Sequence, residues 1–434
     1  MADENLVPNN SARSAAVRLI AGVTVDCAPL SDQISRGALA ALAPADRARA
    51  QRLTLETLRL LGPIDAVLKP LLRREPPAFV RAVLRLALAE LLGQGAAAHG
   101  VVNDAVAITR AAGRKTEGFT GMVNAVLRKA AATDPTAFQA LPPQHLPGWL
   151  RGRLMSAWGK PATMAMEAAH ARGAALDLTP KSGDTAALCA MLGQTAQALP
   201  TGGVRLSNPG QVSELPGFAA GDWWVQDAAA QLPARALHPR SGEAILDLCA
   251  APGGKTLQLA AAGARVTSLD LSANRMERVA ENLARCGLTA KMVVADALQW
   301  QPDELFDAVL LDAPCSATGT IRRHPDLPFV KDASGLKGVF ALQTALIDRA
   351  VGFLKPGGRL VFATCSLLPD EGERQLIGAL ARHANLALDL SALDLPGIEP
   401  GWITPEGGLR LRPDYWPDLG GMDGFFVAAL RLRA

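Results

Sequence analysis

The segment AILDLCAAPGGKT, residues 244–256, constrains the fold of this chain more than any other stretch. Its apolar first half breaks at Pro252-Gly253-Gly254, and a helical apolar pattern resumes over residues 256–262. This order predicts a strand, a tight turn and the start of a helix, which in open parallel α/β sheets places a ligand at the carboxyl end of the first strand. Because both glycines lack a Cβ atom, a cofactor can lie against bare backbone beside the unpaired N–H groups of the helix.

Two better-known glycine motifs do not fit this segment. A Walker A loop requires a glycine five positions before Gly254, and that position holds Cys249. The Gly-x-Gly-x-x-Gly pattern of dinucleotide-binding folds is absent. The interpretation that remains is a cradle for S-adenosyl-L-methionine, and the alternative is an ordinary strand-to-helix turn.

Strand and helix patterns alternate through residues 241–383, which predicts a parallel sheet with right-handed crossovers. The predicted strands are residues 244–250, 265–270, 291–296, 306–312 and 359–364, and the longest helices are residues 273–286 and 338–354. Two later strand-like runs, residues 409–412 and 424–432, are predicted to pair as an antiparallel hairpin at the sheet edge.

The first third of the chain has a different pattern. Apolar residues recur at helical spacing through residues 11–133, with no β-rich run, and predict a bundle of six or seven helices. Residues 1–140 carry 17 Lys and Arg against 12 Asp and Glu. That modest basic bias is compatible with nucleic-acid contact, although solvated helix faces produce the same bias.

Length and composition exclude several classes of protein. A chain of 434 residues fits two or three domains. No apolar run approaches the roughly 20 residues of a membrane span, and residues 1–10 are polar, without the pattern of a signal peptide. The six cysteines form no Cys-x-x-Cys pair and the histidine spacing suggests no zinc site, so we expect no metal and a cytoplasmic protein with free thiols.

Two predicted strands end in a carboxylate at the edge where ligands bind in such sheets. Asp270 follows the glycine turn by about 20 residues, where a carboxylate can accept both ribose hydroxyls. Asp296 ends the next strand and can accept from an adenine amino group. Either residue alone is as typical of a turn, but the pair at this spacing favours an adenosyl cofactor.

Two further strands end close to a cysteine, Cys315 after Asp312 and Cys365 after Thr364. Cytosine C5 is too weak a nucleophile to take a methyl group directly. A thiolate that adds to C6 activates C5, a group at N3 accommodates the developing charge, and a base then removes the C5 proton. Asp312 is placed for N3, and the two cysteines are candidates for attack and release.

The thiols of this predicted pocket need activation, because a free thiol with a pKa of about 8.5 is only slightly ionised at neutral pH. We predict that Lys255 or the nearby strand ends favour the thiolate. For any single cysteine, the commoner role is a small buried hydrophobic residue. Cys249 lies inside the glycine turn and is predicted to be structural.

The helical first third contains two phrases that resemble the NusB-like all-helical RNA-binding module. They are residues 98–106, AHGVVNDAV, and residues 121–128, GMVNAVLR. This module occurs in an antitermination factor and at the amino terminus of some ribosomal RNA methyltransferases. The alternative is a generic bundle that docks on the next domain.

The second half resembles the Sun-type family of RNA 5-methylcytosine methyltransferases. The phrases that carry the resemblance are DLCAAPGGKT at 247–256, DAPCS at 312–316 and TCS at 364–366, and ATGTIRRHP at 317–325 and DGFF at 423–426 narrow it. In that family the cysteine of Thr-Cys-Ser attacks and the cysteine of Pro-Cys-Ser assists release. The resemblance therefore implies that Cys365 is the nucleophile and that Cys315 serves release.

The resemblance also implies the cofactor-binding residues and the partners. Asp312 is expected in both the catalytic and the cofactor set. The cofactor set is Cys249, Ala250, Ala251, Pro252, Gly253, Gly254, Lys255, Asp270, Arg275, Asp296 and Asp312. The implied activity is S-adenosyl-L-methionine-dependent methylation of cytosine C5 in 16S ribosomal RNA. The protein is expected to be a monomer with no membrane partner. The alternatives are the same chemistry on transfer RNA, or a non-catalytic RNA-binding factor of ribosome assembly.

We therefore predict a multidomain protein. Residues 1–140 form an all-α NusB-like RNA-binding domain, and residues 141–240 form a linker and a small α+β segment. Residues 241–434 form a Rossmann-like α/β methyltransferase domain.

Overall fold

A computed structural model of the chain describes residues 11–207 and 209–433. The prediction that no signal peptide is present concerns residues 1–10, which lie outside the described residues. The chain divides into two compact units. The helical unit comprises residues 11–173 and 321–333, and the catalytic unit comprises residues 174–320 and 334–433 as far as they are described. The domain boundaries predicted from the sequence, at residues 140 and 240, differ from the boundaries of these two units and remain a prediction.

The first section of the helical unit contains ten α-helices within residues 11–173. They are α1 (Ala12–Thr24), α2 (Leu30–Ser35), α3 (Pro44–Arg59), α4 (Leu61–Leu68), α5 (Ala78–Leu88), α6 (Ala98–Ala111), α7 (Arg114–Glu117), α8 (Thr120–Ala130), α9 (Pro135–Gln139) and α10 (Gly148–Arg172). A π-helical turn, Ala89–Gly93, continues α5. Residues 11–133 thus hold eight helices instead of six or seven, because α2 and α7 are too short to show a periodic pattern.

Apolar helix faces build the core of this unit. Helix α5 is the central element, since seven of its eleven residues are buried. Its Val80, Leu84 and Leu88 are fully buried and share a core with residues of α1, α3, α6 and α8. The second section of the unit, residues 321–333, carries one short helix, Leu327–Val330, and Phe329 and Val330 pack against a further apolar cluster that includes Leu19 and Leu58.

The catalytic unit begins with a small α+β segment. It contains β1 (Leu176–Pro180), α11 (Thr185–Leu192), β2 (Ala196–Ala198), β3 (Val204–Leu206), β4 (Trp223–Val225) and α12 (Leu232–Ala236). The four strands form an antiparallel sheet in the order β2-β3-β1-β4. A buried ion pair between Arg205 and Asp177 links β3 to β1, and Trp223 is fully buried, as expected for packing residues.

An alternation of strands and helices follows. The strands are β5 (Ala244–Leu248), β6 (Arg265–Asp270), β7 (Lys291–Val294), β8 (Phe306–Asp312), β9 (Leu354–Thr364), β10 (Leu386–Leu388), β11 (Leu409–Leu411) and β12 (Phe425–Leu432). The helices are α13 (Gly254–Ala261), α14 (Ala273–Arg285), α16 (Leu336–Gly352) and α17 (Glu373–Arg382), where α15 is the short helix Leu327–Val330. None of the described helices is both long and apolar enough to cross a membrane.

The large sheet has the order β10-β12-β9-β8-β5-β6-β7, with β11 paired to β12. The five strands from β9 to β7 are parallel, and β12 is antiparallel to β9, β10 and β11. Their fully buried residues, such as Leu246 and Leu310, contribute to apolar cores on the two faces of the sheet. The fold class predicted from the sequence is confirmed: an all-α region, a small α+β segment and a Rossmann-like α/β domain.

The predicted hairpin of β11 and β12 forms at the sheet edge, where β12 pairs with β9 on one side and with β11 and β10 on the other. Strand β10 has only three residues, too few for a recognisable alternation, and was not predicted. One detail of the predicted sheet was wrong. Strand β9 begins at Leu354, five residues before the predicted start at residue 359, because Leu354 already pairs with Phe306 of β8.

Candidate active site

The predicted cofactor loop connects β5 to α13. Strand β5 ends at Leu248, two residues earlier than predicted, because Cys249 has a φ of 64°. Gly253 has a φ of 102°, in the left-handed region that costs other L-residues about 1–2 kcal/mol. A Cβ atom at Gly253 would also lie 3.1 Å from Cγ1 of Val279 in α14. The sequence therefore has glycine at this position for both conformational and steric reasons.

The loop fits the polar groups of an adenosyl cofactor. Helix α13 begins at Gly254 without a side-chain cap, so its first N–H groups are open to an acceptor. The main-chain N–H of Ala251 donates to Oδ2 of Asp270 over 3.1 Å, and that of Ser272 donates to Oδ1 over 3.0 Å. A carboxylate oxygen accepts two hydrogen bonds, so each oxygen of Asp270 keeps one acceptor position for a ribose hydroxyl.

The two outer members of the predicted cofactor set lie on either side of this acid. Asp296 is half-buried, two residues beyond the end of β7, and accepts from the N–H of Leu298 over 2.9 Å and from Nε2 of Gln299 over 2.9 Å. Its carboxylate thus shapes a turn, the alternative weighed for it above. Arg275 donates to the carbonyl oxygen of Ala251 and lies 3.7 Å from Asp270. Among the remaining loop residues, Ala250 and Ala251 are buried and Pro252 is exposed.

Lys255 and Asp312 form an ion pair at the carboxyl end of the sheet. The Nζ–Oδ2 distance is 2.7 Å, and the side chains are 10% and 28% exposed. Burial opposes the positive charge on Lys255, but Asp312 outweighs it and raises the pKa of Lys255, with a further contribution from Cys365. The ammonium group also lies 5.4 Å from the ring centre of Phe425, within range of a cation–π contact. Sequence analysis quoted Phe425 only within a longer phrase and gave it no role.

The two predicted catalytic thiols meet. Cys315 lies three residues after β8 and Cys365 directly after β9, and these strands are parallel neighbours. The Sγ–Sγ distance is 3.4 Å, a thiol–thiol hydrogen bond without a disulfide. The structure therefore brings Cys315, Cys365, Asp312 and Lys255 to one edge of the sheet, although the two cysteines are 50 residues apart in sequence.

The surroundings of Cys315 favour its protonated form. The hydrogen bond that it shares with Cys365, together with burial and the negative charge of Glu371, raises the pKa of Cys315 well above its ordinary value. The pocket was predicted to favour the thiolate, and for Cys315 the direction is the opposite. A third cysteine, Cys249, has a raised pKa because it is buried near Asp270 and Asp312, which fits the structural role expected for it.

Sequence analysis gave no separate role to a buried acid beneath the cofactor loop. Asp247 in β5 is fully buried and accepts a hydrogen bond of 2.5 Å from the Thr256 hydroxyl. Burial raises the pKa of Asp247 to about 7. An aspartate inside an otherwise apolar strand was the available signal, since a central strand rarely places a carboxylate in a core without a purpose.

Comparison with known proteins agrees with this geometry. Residues 234–431 match a family model described as 16S rRNA methyltransferase RsmB/F, and residues 10–132 match the NusB family. A ribosomal RNA small subunit methyltransferase B from Erwinia tasmaniensis is 36% identical over 89% of this chain and 90% of its own length. The protein of that name from Xanthomonas campestris pv. campestris is also 36% identical, over 99% of both chains.

A solved structure supports the fold over the same length. The crystal structure of PH0851 has a TM-score of 0.72 and 24% identity, and the match covers 96% of this chain and 98% of that one. The two methyltransferases named above are similar enough to this chain, in sequence identity and in coverage, to establish its family. The chain belongs to the 16S rRNA methyltransferase RsmB/F family, whose members depend on S-adenosylmethionine, and carries a NusB-type region at its amino end.

Proposed function

We propose that this protein methylates C5 of a cytosine in 16S ribosomal RNA and that Cys365 forms a covalent bond with C6 of the base. The observation that carries the proposal is the pair of thiols 3.4 Å apart beside the Lys255–Asp312 ion pair. Relatives named as small subunit ribosomal RNA methyltransferases support the substrate class. S-adenosylmethionine, held by the α13 amino terminus, Asp270 and the cofactor loop, would supply the methyl group.

The chain's own residues account for the other steps. When the two thiols lose one proton, the effects that raise the pKa of Cys315 keep the remaining proton there, and Lys255 can stabilise negative charge on Cys365. The sulfur of Cys365 then adds to C6, and the electron pair of the C5=C6 bond moves into the ring. Asp312 would face N3, and a proton shared between Lys255 and Asp312 would move to N3 as that charge develops and return at release.

Release of the methylated base requires the bond between C6 and the sulfur of Cys365 to break again. After C5 has gained its methyl group, a base removes the proton from C5, the C5=C6 bond re-forms and the bond between C6 and the sulfur of Cys365 breaks. Cys315, which kept its proton during attack, lies beside the leaving sulfur and can pass that proton to it. The thiolate left on Cys315 can then take the proton from C5. We therefore assign attack to Cys365 and release to Cys315.

The helical unit supplies surfaces for the RNA backbone. Five exposed cations follow one another at the ends of α6, α7 and α8: Arg110, Arg114, Lys115, Arg128 and Lys129. Such groups bind phosphates and orient a nucleic acid without reading its sequence. The target base must leave its stack, at a cost of a few kcal/mol, to reach the half-buried thiol of Cys365.

The decisive experiment uses the two cysteine variants with labelled cofactor and 16S ribosomal RNA. Cys315→Ala should accumulate an RNA–protein adduct that survives a denaturing gel, because release is blocked. Cys365→Ala should form no adduct and transfer no tritium. Cys286→Ala, a buried cysteine of the same unit outside the site, is the control and should behave as wild type. An adduct in Cys365→Ala but not in Cys315→Ala would reverse the roles, and methyl transfer to transfer RNA alone would overturn the substrate.

A further inference from the structure

Glu371 is a buried carboxylate that the chemistry above does not use. It lies in a one-turn helix, Pro369–Glu371, six residues after Cys365, and is 0% exposed. Oε1 accepts from the main-chain N–H of Ser316 over 2.8 Å and from Nε2 of Gln343 over 3.1 Å. Oε2 accepts from the hydroxyls of Ser316 and Ser366. All four donors point to an ionised carboxylate, which acts only as an acceptor.

The two serines are the residues that directly follow the two cysteines. One carboxylate therefore joins the loop that carries Cys315 to the loop that carries Cys365. Two further hydrogen bonds support this link between the loops. Gln343 also donates to the carbonyl oxygen of Pro314 over 2.8 Å, and the Thr364 hydroxyl donates to the carbonyl oxygen of Glu371 over 3.0 Å. The hydroxyls of Ser316 and Ser366 also lie 3.1 Å apart, so Glu371 anchors a small hydrogen-bond network that joins the two loops.

The charge of Glu371 acts in the same place. It is one of the causes that raise the pKa of Cys315, after the hydrogen bond shared with Cys365, burial and the charge of Cys365. The neighbouring acid Glu373 is paired with Arg410 in a separate buried ion pair of 2.6 Å, and Arg410 also donates to the carbonyl oxygen of Ser366. The charged groups around the thiols are thus Lys255 and Asp312 on one side, and Glu371, Glu373 and Arg410 on the other.

We propose that Glu371 is a positioning residue for the catalytic thiols, which sets their separation by holding Ser316 and Ser366 on one carboxylate. Its charge also keeps the shared proton on Cys315, so that Cys365 is the thiol free to attack. The proposal rests on the proposed function of the two cysteines, but it makes a claim about the thiols that holds in the free enzyme.

The test replaces the charge and keeps the size, with Glu371→Gln in the full-length enzyme. We expect kcat to fall about 10–100-fold, while KM for RNA and the cofactor Kd change less than about 2-fold, because only the placement of the thiols is altered. A matched control is Asp370→Asn, since Asp370 is the adjacent acid of the same turn and pairs with Arg374. That variant should retain the wild-type kcat.

A second measurement separates positioning from general damage. In a Cys365→Ala background without RNA, the rate at which Cys315 reacts with an alkylating reagent is followed against pH. Glu371→Gln should lower the pH at which Cys315 becomes reactive, because a nearby negative charge is lost. Asp370→Asn should leave that profile in place. If Glu371→Gln moves neither kcat nor the alkylation profile, the proposal is overturned.

A second variant and a comparison with wild-type methyl transfer complete the test. If Glu371→Gln does not fold, Ser366→Ala removes one of the tethering hydroxyls and should reduce kcat several-fold, and an unchanged kcat would overturn the proposal. If the wild type transfers no methyl group but the alkylation profile responds to Glu371→Gln, the proposed function has failed and the positioning role stands. If the wild type transfers methyl groups but Glu371→Gln changes neither kcat nor the alkylation profile, the positioning role alone has failed.

Discussion

The carboxyl edge of the large sheet has two halves that are built by different means. The cofactor half, at the ends of β5 and β6, is shaped by main chain, with a left-handed Gly253, an uncapped helix start and N–H groups donated to Asp270. The thiol half, at the ends of β8 and β9, is held by side chains that converge on Glu371. The difference teaches that the first half is specified by local turn chemistry, whereas the second depends on contacts across 50 residues of sequence.

Lys255 connects the two halves, because it starts from the cofactor loop and reaches Asp312 and Cys365. Lys255→Met should therefore cause the largest loss, a fall in methyl transfer of about 100-fold, since the cation that stabilises negative charge in the thiol half is gone. Initial rates of tritium transfer measure it. Lys355→Met is the control, because the Lys355–Asp307 pair has the same length of 2.7 Å and lies at the opposite end of the same strands. Equal rates for Lys255→Met and Lys355→Met would contradict the role assigned to Lys255.

A main-chain change should affect the cofactor half selectively. Gly253→Ala adds a Cβ atom at a φ of 102° and 3.1 Å from Val279, so the turn must shift. We expect the Kd for S-adenosylmethionine, measured by calorimetry, to rise about 10–30-fold, or about 1.4–2 kcal/mol. Gly242→Ala provides the comparison, since it also has a positive φ of 81° but no neighbour within 4 Å and no place in the cofactor loop. Cofactor affinity unchanged in Gly253→Ala would mean that the loop does not bind the cofactor.

The smallest expected effect concerns the buried support of the cofactor half. The pKa of Asp247 is raised to about 7, above an unfolded value of about 3.9, so its contribution to stability is present below pH 4 and is lost as the pH rises to 7. Asp247→Asn cannot ionise, and its stability relative to wild type should improve by about 1.4 kcal/mol between pH 6 and pH 8. Denaturant unfolding at the two pH values measures this.

Asp307→Asn is the matched control for that measurement. Its hydrogen bond with Lys355 lowers the pKa of Asp307, so this acid is ionised in both folded and unfolded chains above pH 5. The stability difference between Asp307→Asn and wild type should therefore be the same at pH 6 and pH 8. A pH-independent difference for Asp247→Asn as well would contradict the raised pKa of Asp247.

The sequence was informative wherever function depends on a local pattern. Strands β6 and β8 begin and end at the predicted residues because apolar runs and terminal aspartates mark both ends. The meeting of Cys315 and Cys365 followed from the rule that parallel strands present their carboxyl ends on one edge. The fold class followed from the alternation of periods in the two halves of the chain.

Other features could not be predicted because their cause is not local. Glu371 looks like one of several acids after Cys365, and only burial and its four donors distinguish it. The pairing of β12 with β10 depends on a strand that is too short to carry a pattern. The raised pKa of Cys315 depends on a neighbouring thiol and a buried charge, neither of which is visible in the residues adjacent to it.

The membership of residues 321–333 in the helical unit has a consequence for dissecting this enzyme. The chain passes between the units three times, after residues 173, 320 and 333, so a single cut cannot release either unit whole. A fragment that stops at residue 173 would lose Phe329 and Val330 from an apolar cluster and the carboxylate of Asp326 that accepts the N–H of Leu30. An experiment that tests whether the helical part alone binds RNA would need to graft the excised peptide back onto it.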